Sequence, residues 1–172
     1  HIGHRAAMDL MPYQLDPAKL SLQRPRQRIL IADTVGLGKT LEAGILMSEL
    51  IARGKGKRIL VVTVKSMMTQ FQKEMWNRFT IPLVRLDSNR IQKIRANLPS
   101  NAYWDIIVID EAQNVAERGD HQAQRSRLAK LLADRSDTMI MLSATPHDGR
   151  AKSFASLMNM LDPTAIADPE NY

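Results

Sequence analysis

Arg28-Ile-Leu-Ile-Ala-Asp-Thr-Val-Gly-Leu-Gly-Lys-Thr40 decides the fold. An apolar run ends at Ala32, turn chemistry follows, and Leu41, Ile45, Leu46 and Leu50 then recur at helical spacing. Strand, glycine-rich loop and helix in that order form a phosphate cradle. Gly36 and Gly38 permit backbone conformations that aim N–H groups at one point. The helix adds its positive N-terminal end. Lys39 can reach β- and γ-phosphates, and the Thr40 hydroxyl can ligate Mg²⁺. The general pattern G-x-x-x-x-G-K-[ST] is incomplete, because Asp33 stands where its first glycine belongs. The strand–loop–helix context still holds across Asp33, Thr34, Val35, Gly36, Leu37, Gly38, Lys39 and Thr40.

Outward from this loop, residues 58–64, 104–109 and 138–142 are apolar almost throughout. Such runs suit strands covered on both faces, as in a parallel sheet. Residues 81–86 are a weaker strand candidate. Helical stripes lie between the runs. One is Met68, Phe71, Met75 and Phe79; a shorter one is Ile91, Ile94 and Leu98. A third is Leu128, Leu131 and Leu132, and a fourth is Phe154, Leu157, Met158 and Leu161, stopped by Asp162-Pro163. Gly54 falls where the helix beginning near Lys39 needs a C-terminal cap. Strands alternating with helices predict an α/β fold, a three-layer sandwich with a mostly parallel central sheet. Most of the ten methionines fall on the stripes and are read as core.

The chain has 172 residues, enough for one domain with a sizeable core. It has no cysteine, which excludes disulfides, thiolate metal sites and cysteine catalysis. No apolar run reaches the roughly 18 residues of a membrane span. The net charge of +6 and pI near 9.8 suit a polyanionic partner such as nucleic acid, and equally a basic soluble domain. His4 and His121 lack metal-ligand spacing and are read as surface residues.

A nucleotide site of this kind needs a carboxylate for the metal shell and a group that polarises water. Asp110-Glu111 follow the buried run 104–109 and supply both. Asp110 would hold the metal, partly through water, and Glu111 would act as general base. By itself such a pair also suits a helix-start Asp beside a solvated Glu. Lys65 and Ser66, after the run 58–64, can supply backbone-phosphate contacts, and Ser66 can instead cap a helix.

Four ordered stretches resemble superfamily-two helicase-like ATPases of Swi/Snf type, with bacterial members most similar. Ala32-Asp-Thr-Val-Gly-Leu-Gly-Lys-Thr40 looks like motif I, and Thr63-Val-Lys-Ser-Met-Met-Thr-Gln-Phe71 like motif Ia. Asp110-Glu-Ala-Gln113 looks like motif II, and Leu142-Ser-Ala-Thr-Pro-His-Asp-Gly149 like motif III. Pro12-Tyr13-Gln14 is similar to the element that holds adenine. The resemblance implies the N-terminal RecA-like lobe of a P-loop ATPase, covering residues 1–172, that uses ATP and Mg²⁺ to move on double-stranded DNA, with RNA as the other candidate. It implies adenine contact by Gln14 and ATP binding by residues 33–40. It implies metal binding by Thr40 and Asp110, and catalysis by Lys39, Asp110, Glu111 and Gln113. Gln113, Ser143, Ala144 and Thr145 would couple the nucleotide to nucleic acid gripped near Lys65, Ser66 and Gln70. A cytoplasmic, nucleoid-associated place in a bacterium follows from the same resemblance.

The chain departs from the family pattern at several positions. Thr34 replaces an acidic residue, Gln113 a histidine and Val64 a proline. Asp110 follows Lys39 by 71 positions, a short interval that lacks a clear motif Ib. The abrupt passage through 99–103 suggests missing residues. The second RecA-like lobe, with its arginine fingers, has no counterpart before Tyr172, so the chain reads as a fragment with little turnover alone. A P-loop enzyme of another class, or a catalytically impaired binding module, are the competing readings.

Overall fold

The computed structural model describes residues 11–32, 38–86, 102–117, 124–146 and 151–166. Its helices are α1 (Asp16–Leu22), α2 (Lys39–Ala52), α3 (Met68–Phe79), α4 (Gln124–Asp134) and α5 (Ala151–Leu161). Its strands are β1 (Arg28–Ala32), β2 (Ile59–Val62), β3 (Trp104–Ile109) and β4 (Ser136–Ser143). They form one parallel sheet in the order β1-β4-β3-β2. Leu30 sits opposite Met141, and Met141 opposite Ile109, so the last strand in sequence is central.

Successive strand residues face opposite sides, which gives two apolar layers. Ile31, Ile106, Val108, Ile140 and Leu142 pack against α1, α2 and α3, where Leu46, Leu50 and Met75 are fully buried. Ile107, Ile109, Met139 and Met141 pack against α4 and α5, with Leu157 and Met160. Covering each such side chain is worth about 1.5–3 kcal/mol, which is why continuous apolar runs become strands sandwiched between helices.

The terminators behave as the sequence requires. Gly54 adopts φ +75, and the Lys55 N–H closes on Leu50 O at 2.8 Å. Among the described residues five methionines, Met47, Met75, Met139, Met141 and Met160, are buried.

Three expectations need correction. Residues 81–86 form no strand; the segment runs back beside α3, with the Gln72 amide donating to Leu83 O at 2.5 Å and Arg85 donating to the Thr69 hydroxyl at 2.8 Å. β4 starts two residues before the expected run, because Ser136 pairs with Trp104. The stripe on α4 is also misplaced. Leu128 and Leu131 are about half exposed, and the helix buries Ser126, Ala129 and Ala133 with only part of Leu132. Small residues let α4 approach the sheet closely. The stripe at Ile91, Ile94 and Leu98, both histidines named above and most of the 99–103 junction lie outside the described residues.

Candidate functional site

Because β4 is central, β1 and β3 lie on either side of it, about 10 Å apart. All three strands end at the same edge, so the segments after Ala32, Ile109 and Ser143 converge there. Ligands of parallel α/β sheets bind outside this carboxyl edge.

Residues 33–37 of the phosphate loop lie outside the described residues. Gly38 ends it in a left-handed conformation, φ +96, as N-cap of α2, and Lys39 and Thr40 form the first turn. Gln14 is buried in a short 3₁₀ turn, Pro12–Leu15, where its carbonyl oxygen accepts the Met11 N–H at 3.0 Å. Its amide nitrogen lies 2.9 Å from where a Cβ on Gly38 would stand. The upstream element therefore reaches the phosphate loop.

Asp110 leaves β3 with one carboxylate oxygen accepting the Thr63 hydroxyl at 2.7 Å and the other the Glu111 N–H at 3.0 Å. Burial pushes the Asp110 carboxyl above its ordinary range. The two hydrogen bonds and the Lys39 charge oppose that shift, and the Glu111 charge adds to it. Lys39 thus acts electrostatically on Asp110 from the same edge. Glu111 has a left-handed backbone, φ 53, and caps a second 3₁₀ turn, Ala112–Asn114. Such strain in a non-glycine residue persists only where the surroundings impose it.

Motifs II and III are joined by side chains. The Gln113 amide donates to the Glu111 carboxylate, and the Ser143 hydroxyl donates to the Gln113 carbonyl at 2.7 Å. The Thr145 N–H donates to the Ser143 hydroxyl at 3.2 Å. Ala144 links the last two partners along the backbone. Lys65 and Ser66 are exposed on the loop after β2. Ser66 does not cap α3; Met67 holds that position, with no side-chain cap bond. Gln70 is exposed and donates to Glu74 at 3.0 Å.

Thr63 is a site residue that the sequence reading quoted without assigning. Its signal is a hydroxyl at the carboxyl end of the strand beside the acidic one. A cleft of about 390 Å³ opens there, between Thr63, Lys65, Asp110 and Arg125, with Leu128 on its apolar wall. Among the described residues no group of three or more His, Cys, Asp or Glu gathers to hold a metal. The Thr40 hydroxyl and the Asp110 carboxylate offer oxygen only, and Mg²⁺ takes one or two protein oxygens and completes its shell from phosphates and water.

Fold and edge together define a RecA-like α/β domain of the helicase-like ATPase class. The chain belongs to the SNF2-related domain family, whose family model matches residues 77–172, more than half of it. The RNA polymerase-associated protein RapA of Yersinia enterocolitica is 30% identical over 99% of this chain, and that of Serratia proteamaculans 29%. The chain spans about 20% of the length of these relatives. The Sulfolobus solfataricus SWI2/SNF2 ATPase core, solved in complex with dsDNA, superposes with a TM-score of 0.78. That match has 22% identity and covers 96% of this chain and 38% of that one. The Pyrococcus furiosus Hef helicase domain superposes at 0.63 over 87% of this chain and 35% of its own, with 19% identity.

Proposed function

We propose that the chain is the ATP-binding and ATP-hydrolysing motor lobe of a Swi/Snf-like translocase acting on double-stranded DNA. The observation that carries this is the hydrogen-bonded string from Glu111 through Gln113 to Ser143 and Thr145, set beside an Asp110 that feels the Lys39 charge. Residues 33–40 bind the phosphates of ATP, and Gln14 meets the adenine. Lys39 draws negative charge toward its ammonium. Glu111 takes the proton of the attacking water. Gln113 fixes the Glu111 carboxylate and passes its position to Ser143. Thr40 and Asp110 would hold Mg²⁺, which when bound neutralises charge on the β- and γ-phosphates. Lys65, Ser66 and Gln70 grip the nucleic-acid backbone. A second RecA-like lobe in the whole protein supplies the missing charge stabilisation, worth about 10³–10⁵ in rate.

The RapA relatives make association with RNA polymerase the partner to test first, in a cytoplasmic, nucleoid-associated setting. Binding of a fluorescent ATP analogue to the chain and to Lys39→Ala tests the nucleotide site. Equal binding by both would remove the phosphate-loop reading. ATP turnover by the full-length protein, with and without duplex DNA, tests the motor. Absence of turnover would leave a binding module.

A further inference from the structure

Exposed positive charge among the described residues lies beside the nucleic-acid grip, at Lys65, Lys73 and Arg85, and also at the far end of the sheet. At the amino edge of the sheet, opposite the nucleotide site, the α2–β2 connection reads Arg53-Gly-Lys-Gly-Lys-Arg58. Arg53, Lys55, Lys57 and Arg58 are all exposed. At the other side of the same edge, Arg24 and Arg26 precede β1 and are also exposed.

Both groups are held in place. The Asp105 carboxylate accepts the Lys57 and Arg58 N–H groups at 2.7 Å each, which fixes the basic loop to β3. Arg26 donates to Ser136 O at 2.7 Å and to Asp137 O at 3.3 Å, fixing the segment before β1 to β4. Tyr103 bridges the two sides: its hydroxyl donates to Asp137 at 3.0 Å, and its carbonyl accepts Arg58 at 3.5 Å. The cationic groups therefore stand three strand spacings apart, about 14 Å. The major groove of duplex DNA is about 12 Å wide.

The acids of this edge hold internal contacts and keep their charge, and Asp162 also acts on Arg24. Asp105 and Asp137 are engaged as above, Glu49 lies 3.8 Å from Arg53, and Asp162 accepts both polar hydrogens of Thr164. Asp134 acts on Arg28, which is tied to the carbonyls of Ala133 and Ser136. Lys55 and Lys57 make no side-chain hydrogen bond or ion pair among the described residues.

We propose that this amino edge is a second nucleic-acid surface. Lys55, Lys57 and Arg58 contact phosphates on one side of a duplex groove, and Arg24 and Arg26 contact phosphates on the other. It is separate from the grip at Lys65 and does not require a bound nucleotide. A motor lobe with cationic surfaces at both ends of its sheet can hold two stretches of nucleic acid at once.

The test is anisotropy of a labelled 30-base-pair duplex on the whole chain, titrated from 50 to 200 mM KCl. Each phosphate contact contributes about 0.9 to the slope of log K against log salt. The Lys55→Ala/Lys57→Ala variant should lower that slope by about two and weaken low-salt binding several-fold. A Lys65→Ala variant should leave the effect of the Lys55/Lys57 pair intact. A slope unchanged by the double substitution in a folded variant overturns the proposal. So does loss of polyglutamate binding with duplex binding retained, since that would assign the edge to an acidic protein segment.

Discussion

The two ends of the sheet share the same four strands and treat polar groups in different ways. At the carboxyl end, Gly38 and Glu111 have left-handed backbones, and burial works against the Asp110 charge. At the amino end, Asp105 receives two short backbone bonds, and Tyr103 with Arg26 and Arg28 ties three strands together. The apolar layers between the ends fix where the strands lie. Both ends hold a charge against burial, Asp110 at one and Arg28, its pKa lowered to about 10 by desolvation, at the other. At the carboxyl end the strained Glu111 and the part-buried Asp110 stand next to each other, as a nucleotide site needs. The amino end has left-handed residues too, Gly54 and Thr80, but there they close α2 and α3.

The largest expected effect is at the carboxyl end. Glu111→Gln keeps the size of the side chain and removes its basicity. Turnover of the full-length protein should fall about 10²–10⁴-fold, with affinity for a fluorescent ATP analogue retained. A fall in affinity without a fall in the maximal rate would move Glu111 from chemistry to binding.

A change between the ends should affect both alike. Gly44 on α2 faces Phe79 of α3, and a Cβ there would overlap the ring. Gly44→Ala should cost about 1–3 kcal/mol in urea unfolding. A cost near zero would show that the α2–α3 contact yields easily and that the sheet alone positions the ends.

At the amino end, Asp105→Ala removes the acceptor for the Lys57 and Arg58 N–H groups. The loss resembles that of a helix cap, about 0.5–2 kcal/mol. Hydrogen exchange should quicken at residues 57 and 58 and stay unchanged around Asp110. Faster exchange at both ends would mean that they are coupled.

Much of this contrast was legible in the chain itself. Unbroken apolar runs marked β1, β3 and β4, and the Gly38-Lys39-Thr40 junction with Asp110-Glu111 marked the carboxyl end. Reading failed where size misleads. On α4, Leu128 and Leu131 outweigh Ala129 and Ala133 in any hydrophobic pattern, yet the small residues face the sheet. Residues 81–86 are apolar enough for a strand, but polar ties hold them to α3, at Gln72 and Thr69. Thr63 and the Tyr103–Asp137 tie were not visible, because each depends on which strands become neighbours, and a sequence does not print strand order.

The smallest effect separates the ends by sign. Asp110 has a folded-state pKa above its ordinary 3.8, chiefly because it is buried. Between the two values the folded chain binds more protons than the unfolded one, so stability falls as pH rises through that interval. Above it the carboxylate remains a fixed cost at neutral pH. Asp110→Asn removes the charge, and the amide can still accept one of the two hydrogen bonds and donate to Thr63. The variant should therefore melt at or slightly above the unaltered chain at pH 7, and its advantage should shrink below pH 4. Metal-dependent ATP binding should be lost in the same variant. Asp105→Ala, by contrast, should melt lower at pH 7. If Asp110→Asn melts lower as well, the hydrogen bonds from Thr63 and Glu111 outweigh burial, and the carboxyl end is as well satisfied as the amino end.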